Sequence, residues 1–223
     1  MHKKKNKKIL LYFFLLILFS SISNISLNNL KLIQIQNIKV SGLEQKDNEI
    51  LLNNVKNLIK ENIFFINKNE IIKLINSNSL VEKYEVFKNY PSTISINIEK
   101  TNFIAKINNN GETFLIGSNG KLTPDIYQND DLPYIFGKPN IEEFLNFKKI
   151  LDNSKFSYSE IEKIYFFPSK RWDLKLKSEI LLKLSKNFTE DSLNNIFDFL
   201  EDYNYDKMII VDTRVNNQII LNE

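Results

Sequence analysis

Cysteine is absent from the 223 residues, and the only histidine, His2, sits in a lysine-rich start. Disulfides, thiolate chemistry and Cys-based metal sites are therefore excluded, and a zinc site or a Ser-His triad would lack its imidazole. Glycine and proline occur five times each, while Asn, Ile and Lys abound. That pattern reads as a composition bias across the whole chain, so the Asn content is not taken as prion-like. Excess charge is also scarce: the net value is +3, and "KKKNKK" at residues 3 to 8 supplies five lysines, so the body is slightly acidic. A nucleic-acid footprint is not supported for it. Carboxylate chemistry stays formally open, but the adjacent Asp130 and Asp131 lie in a polar stretch before Pro133 and read as a solvated loop.

What is present is an apolar content of 43%, enough for one large or two small packed domains. "ILLYFFLLILFSSISNISL", residues 9 to 27, follows the lysines without a charge. A helix across a bilayer core needs about 20 such residues. The segment reads as a retained anchor with the amino terminus inside and the bulk exported, since lysines resist transfer. A cleaved signal peptide with its cleavage zone before Asn24 is the competing reading.

Residues 33 to 101 read as strand, helix, helix, strand, strand. "IQIQNIKVSG" stops at Gly42, and Leu51, Val55, Leu58 and Ile59 fall at helical spacing. Asn67, with Glu70 three residues on, caps a second helix bearing Ile71, Leu74 and Ile75. Tyr90-Pro91-Ser92 makes a turn, after which Ile94, Ile96 and Ile98 share a face. From residue 103 strand and turn signals recur: "FIAKI", "ETFLIG", Asn119-Gly120, "KLTPD", "DLPYIFG", then a helix with Phe144, Phe147 and Leu151, then "IEKIYFF". "SKRWDLKLKSEILLKLSK" reads as a hairpin with Trp172, Leu174, Leu176, Ile180, Leu182 and Leu184 inward and Asp173, Lys175 and Lys177 outward. A helix after Thr189 turns Leu193, Ile196, Phe197 and Leu200 inward, and two last segments hold Met208 to Val211 and Val215 to Leu221.

The order of "IKVSG", "NIFFINKNEIIKLI" and "YPSTISINIEK" resembles a POTRA domain. "KRWDLKLKSEILLKL", the helix with Leu193 and Leu200, and "VDTR" at residues 211 to 214 resemble the β-domain of the bacterial FtsQ/DivIB cell-division family. Three departures stand out: Asn102 where the family commonly has proline, Ser178-Glu179 in place of a glycine-containing hairpin turn, and no long tail. The second implies a longer or strained turn.

The expected fold class is α+β: a single N-terminal transmembrane helix, a βααββ POTRA domain, then a mixed β-rich domain with two helices. The expected boundaries are a cytoplasmic basic tail at 1–8, an anchor at 9–30, the POTRA domain at 33–101 and the β-domain at 103–223. The resemblance implies a non-enzymatic scaffold of the division machinery, single-pass in the inner membrane with its bulk in the periplasm at the septum. It also implies partners FtsB and FtsL, and no catalytic residue, metal or cofactor. The alternatives are an export or outer-membrane assembly component that binds client strands, and a carboxylate-based wall hydrolase.

Candidate partner-binding residues are Lys170 and Arg171 at the hairpin, where acidic partner groups would meet them, and Val215, Asn217, Ile219 and Leu221 in the last segment. A terminal strand there would leave backbone groups and apolar side chains open to strand addition. The resemblance matches Val215 and Asn217 to FtsB contacts.

Overall fold

The computed structural model describes residues 3–22, 35–59, 67–126, 131–202, 210–215 and 218–222. Its first helix, α1 (Lys3–Ile22), corrects the expectation of a transmembrane span over residues 9–30. The lysines fall inside this helix, and its uncharged part, Ile9 to Ile22, is about 21 Å long at 1.5 Å per residue. A hydrocarbon core is about 30 Å thick. No helix among the described residues is long and apolar enough to cross a membrane, and residues 23–30 lie outside the described ones.

Beyond it the chain divides into two compact units, one of residues up to Asn78 with Lys83–Glu99, the other of Ser79–Glu82 with Lys100–Glu223. In the first, β1 (Asn37–Ser41), α2 (Gln45–Leu58), α3 (Lys68–Ser77), β2 (Val81–Asn89) and β3 (Thr93–Lys100) follow in the expected order. The sheet order is β1-β3-β2, with β1 parallel to β3 and Val40 opposite Ile96. Alternation buries Ile94, Ile96 and Ile98, while the helices bury Leu51, Val55, Ile71 and Ile75. Asn67 does cap α3, accepting the N–H of Asn69 at 3.1 Å; Glu70 meets its side-chain amide at 3.0 Å. Gly42 has φ of 109°, and a Cβ there would stand 1.7 Å from the Ile98 carbonyl oxygen, so the chain leaves β1 only through glycine.

The second unit is built on a nine-stranded mixed sheet. Its elements are β4 (Phe103–Asn109), β5 (Glu112–Gly117), β6 (Leu122–Pro124), β7 (Tyr134–Phe136), α4 (Ile141–Asn153), β8 (Ile161–Phe166), β9 (Trp172–Leu176), β10 (Leu181–Lys183), α5 (Glu190–Asp202), β11 (Ile210–Asp212) and β12 (Ile220–Asn222). The spatial order is β12-β11-β10-β9-β8-β7-β4-β5-β6. Pairs β4–β7, β7–β8 and β10–β11 are parallel, the remaining neighbours antiparallel. Asn102 has a use for its N–H, which donates to Ser118 Oγ at 3.2 Å, a bond proline could not make.

One cross-strand row sets the faces: Ile135, Ile164, Leu174, Leu182, Val211 and Leu221 are registered neighbours from β7 to β12. The first five are buried in one core with Phe144, Phe147 and Leu151 of α4 and Leu193 and Ile196 of α5, and Leu221 packs against it. Both helices are started by reciprocal caps. Asn140 accepts from Glu142 N while Glu143 accepts from Asn140 N, and Thr189 and Ser192 exchange backbone-to-hydroxyl bonds of 2.8 and 3.2 Å. Trp172 is a core anchor, 5% exposed, stacked on Phe147 at 4.3 Å.

The hairpin turn is strained, as its sequence implied: Glu179 holds φ of 67°, a left-handed conformation costly for a residue with a Cβ. Two outcomes are expected. Ile96→Asp should cost the protein about 3 kcal/mol or more, because it buries an unpaired carboxylate; an unchanged urea unfolding curve would show the face assignment to be wrong. Glu179→Gly should raise the urea midpoint by the equivalent of up to about 1 kcal/mol, because the exposed pair with Lys175 that it removes contributes little.

Candidate interaction edge

Among the described residues the sheet ends in β6 and β12, each paired with a strand on one side only, and the two ends differ in chemistry. At one end β6 closes on Pro124, which carries no N–H and blunts the ladder. At the other end stands β12, short and free of proline, paired antiparallel with β11 through Val211 opposite Leu221 and Asp212 opposite Ile220. Ile220 is 43% exposed and Val215, before the strand, 51%. A cleft of about 420 Å³ opens near the start of this strand, lined by Ser192 and Ile196 of α5, Thr213 and Val215 after β11, and Gln218 and Ile219 before β12. Hydroxyl and amide groups line it together with Ile196, Val215 and Ile219, a mixture that suits a mostly polar segment with one apolar side chain inserted.

Opposite to the helix-covered face, the next registered row is Phe136, Tyr165, Asp173, Lys183, Asp212 and Ile220. Phe136 and Tyr165 stack at 5.1 Å, and Tyr134 joins them at 4.9 Å from Phe136. The middle of the row is a symmetric charge array. Asp173 on β9 accepts from Arg171 Nε at 3.0 Å and Nη2 at 3.2 Å. Asp212 on β11 accepts from Arg214 Nε at 2.8 and 2.9 Å, from its Nη2, and from its backbone N–H at 3.1 Å. Lys183 on β10 lies between the two carboxylates.

The two aspartates are perturbed in opposite directions. Burial pushes the Asp173 carboxyl up against the pull of Arg171, whereas the Arg214 guanidinium holds Asp212 below the ordinary carboxylate range. Asp173, read from the sequence as lying on the outward face, is 4% exposed. The alternation was right about which side it takes; the guanidinium of Arg171, itself resting on the Phe167 ring at 4.2 Å, closes over it.

The six candidate residues do not form one site. Val215 and Ile219 line the cleft by β12, Leu221 turns into the core, and Asn217 lies outside the described residues. Arg171 belongs to the charge array. Lys170, at φ of 63°, bonds Glu143 of α4 at 2.7 Å, holding that carboxyl below its usual value, and borders a separate groove floored by Phe147, Phe166, Trp172 and Phe188. Sequence reading left Asp173, Asp212 and Arg214 without a role, although the Arg-x-Asp and Asp-x-Arg spacings that make their forks are visible in "KRWD" and "VDTR". Among the described residues no cluster of acidic or imidazole groups is arranged to hold a metal.

Residues 33–100 match the family described as "POTRA domain, FtsQ-type", under a third of the chain and in the unit whose βααββ order was just given. Residues 33–100 are therefore a POTRA domain. The domain is of the FtsQ type, so the FtsQ/DivIB resemblance read from the sequence is borne out. No curated protein matches the chain. Among solved structures it matches the major extracytoplasmic domain, trans isomer, of the bacterial cell-division protein DivIB from Geobacillus stearothermophilus. The identity is 15% and the TM-score 0.33 over 48% of this chain and 99% of that one, too low a likeness to carry an argument.

The opposed shifts set a pH test. Asp212, depressed in the fold, stabilises it above the unfolded carboxyl value of about 3.9 and loses that contribution as pH falls through the folded value. Asp212→Asn should thus be less stable than wild type at pH 7 and converge with it as pH falls through the lowered folded value, read as urea midpoints. A gap that stays constant with pH would mean that Asp212 acts through packing alone.

Proposed function

We propose that the protein is a non-enzymatic division scaffold that works outside the cytoplasm at the septum, and that its second unit takes up an extended segment of FtsB, held with FtsL, along β12. The observation that carries this reading is the asymmetry of the sheet among the described residues: one end carries Pro124, the other ends in β12, where Ile220 is 43% exposed and a cleft opens just before the strand. The FtsQ-type POTRA match supplies the division context. Each backbone hydrogen bond gained by an added strand contributes on the order of 1 kcal/mol net, and alternate side chains set specificity. Ile220 offers an apolar contact on the outer face, and the cleft receives the next side chain on the other.

Ile220→Lys places a charge on the half-exposed edge, and Ile219→Pro removes an N–H just before the strand. Both should weaken binding of the extracytoplasmic FtsB–FtsL segments by about tenfold or more, equivalent to roughly 1.4 kcal/mol, in calorimetry. Melting temperatures should stay within about 2 °C of wild type, as for surface changes generally. Unaltered affinity in both variants would place the interface elsewhere, and binding loss accompanied by unfolding would make β12 an interior strand in function.

A further inference from the structure

On the helix-covered face of the second unit, the core opens into a groove of about 210 Å³. One wall is a single stripe of α4, with Glu143, Asn146, Phe147 and Ile150 three and four residues apart. Trp172, at the start of β9, forms the floor, stacked on Phe147 at 4.3 Å and tilted against Phe166 at 4.5 Å. Phe188, edge-on to Phe147 at 5.5 Å, closes another wall just before α5. Aromatic rings thus meet around an opening whose polar lining is Glu143, Asn146 and Lys170. Small-molecule sites usually enclose about 300–1,000 Å³. A groove below that range suits one large side chain better than a free ligand.

Two observations say where such a side chain would come from. The first is the neighbouring cleft. Ser185 and Asn187 line the cleft that opens before β12, and Phe188 lines the groove, so the loop 185–188 is a common wall of both. Leu184, just ahead of this loop, donates its N–H to the Trp172 carbonyl at 3.2 Å, which holds the wall against the floor. Three consecutive Cα steps reach at most about 11 Å, so an extended partner chain crosses the loop in about four residues.

The second observation is charge. Lys186 stands exposed on the common wall, and Lys170 on the groove's rim keeps its side chain 66% exposed although it bonds Glu143 at 2.7 Å. Lys170 also holds φ of 63°, a left-handed conformation that glycine adopts without steric cost, in a turn closed by its N–H to the Phe167 carbonyl at 2.8 Å. An exposed ion pair contributes too little to offset that strain. A lysine at this position therefore weakens the turn relative to glycine, while it places a cation beside the aromatic opening.

We infer that the groove is a second docking point for the segment that joins β12. After crossing the loop 185–188, the same partner chain inserts one large apolar side chain over Trp172, between Phe188, Phe166 and Ile150, with acidic residues on its two sides meeting Lys186 and Lys170. This rests on the edge reading above. It adds a selectivity that strand pairing lacks, because backbone hydrogen bonds accept many sequences whereas a shaped aromatic groove does not. The two lysines favour acidic flanks over basic ones.

Trp172 is the one tryptophan of the chain, so its emission reports on this groove. When the full chain is saturated with tryptophan-free extracytoplasmic FtsB–FtsL segments, Trp172 emission should move to shorter wavelength as the groove loses water. Asn146→Phe fills the groove from an exposed position on α4. It should leave the melting temperature near wild type, weaken binding about tenfold or more and abolish the emission shift. Lys170→Gly should move stability and binding in opposite directions: its urea midpoint rises as the strain is relieved, while affinity falls about two- to fivefold. Binding that is weakened by Ile220→Lys but leaves Trp172 emission unmoved, or that is unchanged in Asn146→Phe, overturns this inference and leaves the edge reading standing. Wild-type affinity in Lys170→Gly overturns the acidic flank. Binding that shifts Trp172 emission yet keeps its affinity in both Ile220→Lys and Ile219→Pro overturns the edge reading and the continuous segment together, as does the absence of any wild-type binding.

Discussion

The second unit depends on one packed row: Ile135, Ile164, Leu174, Leu182 and Val211, five neighbouring strands each giving one aliphatic side chain to the underside of α4 and α5. Side chains alternate with a period of two, so fixing this row fixes every other position on β7 to β11. A slip of one residue in β9, β10 or β11 would bring Asp173, Lys183 or Asp212 under the helices, at a cost of several kcal/mol for each unpaired charge. The charge array on the outer face is therefore a consequence of the apolar row, and its arginines can be held without entering the core.

The same row explains why the interaction edge is firm although it is short. β12 has three residues, too few to be stable as a lone ribbon, but Leu221 anchors it to the core through Val211. Among the described residues β12 is paired only with β11, and Ile220 is 43% exposed. The opposite end of the sheet has no such opening, because Pro124 occupies it. For the proposed function, one receptive edge would fix the orientation of the partner, since a second would recruit other strands.

The POTRA unit rests on a smaller version of the same logic. Ile94, Ile96 and Ile98 of the central strand β3 set the buried face, and β1 and β2 flank it. Gly42 is needed there for a steric reason, since no side chain fits against the Ile98 carbonyl. In the second unit Gly137 plays the equivalent part: at φ of 104°, a Cβ would come within 2.2 Å of the Phe166 carbonyl oxygen.

The sequence by itself determined whatever depends on neighbours a few residues apart. Strand faces follow from alternation, helix stripes from 3.6-residue spacing, caps from Asn67 and Thr189, and the strained turn from the missing glycine at Ser178-Glu179. The capping box at Asn140 and Glu143 was equally legible in "NIEE". Tertiary structure alone decided what depends on pairing across the chain. It put β4 between β5 and β7, separated β6 from β12 at opposite ends, and brought Asp173, Lys183 and Asp212 into one row although they come from three separate strands. It also divided the five described candidate residues among a cleft (Val215, Ile219), the core (Leu221), a charge array (Arg171) and a separate groove (Lys170). Local periodicity says which face a side chain takes, but not which strand will lie beside it. That choice is made by the closure of long loops and the fit of the shared core, and neither is written in any one segment.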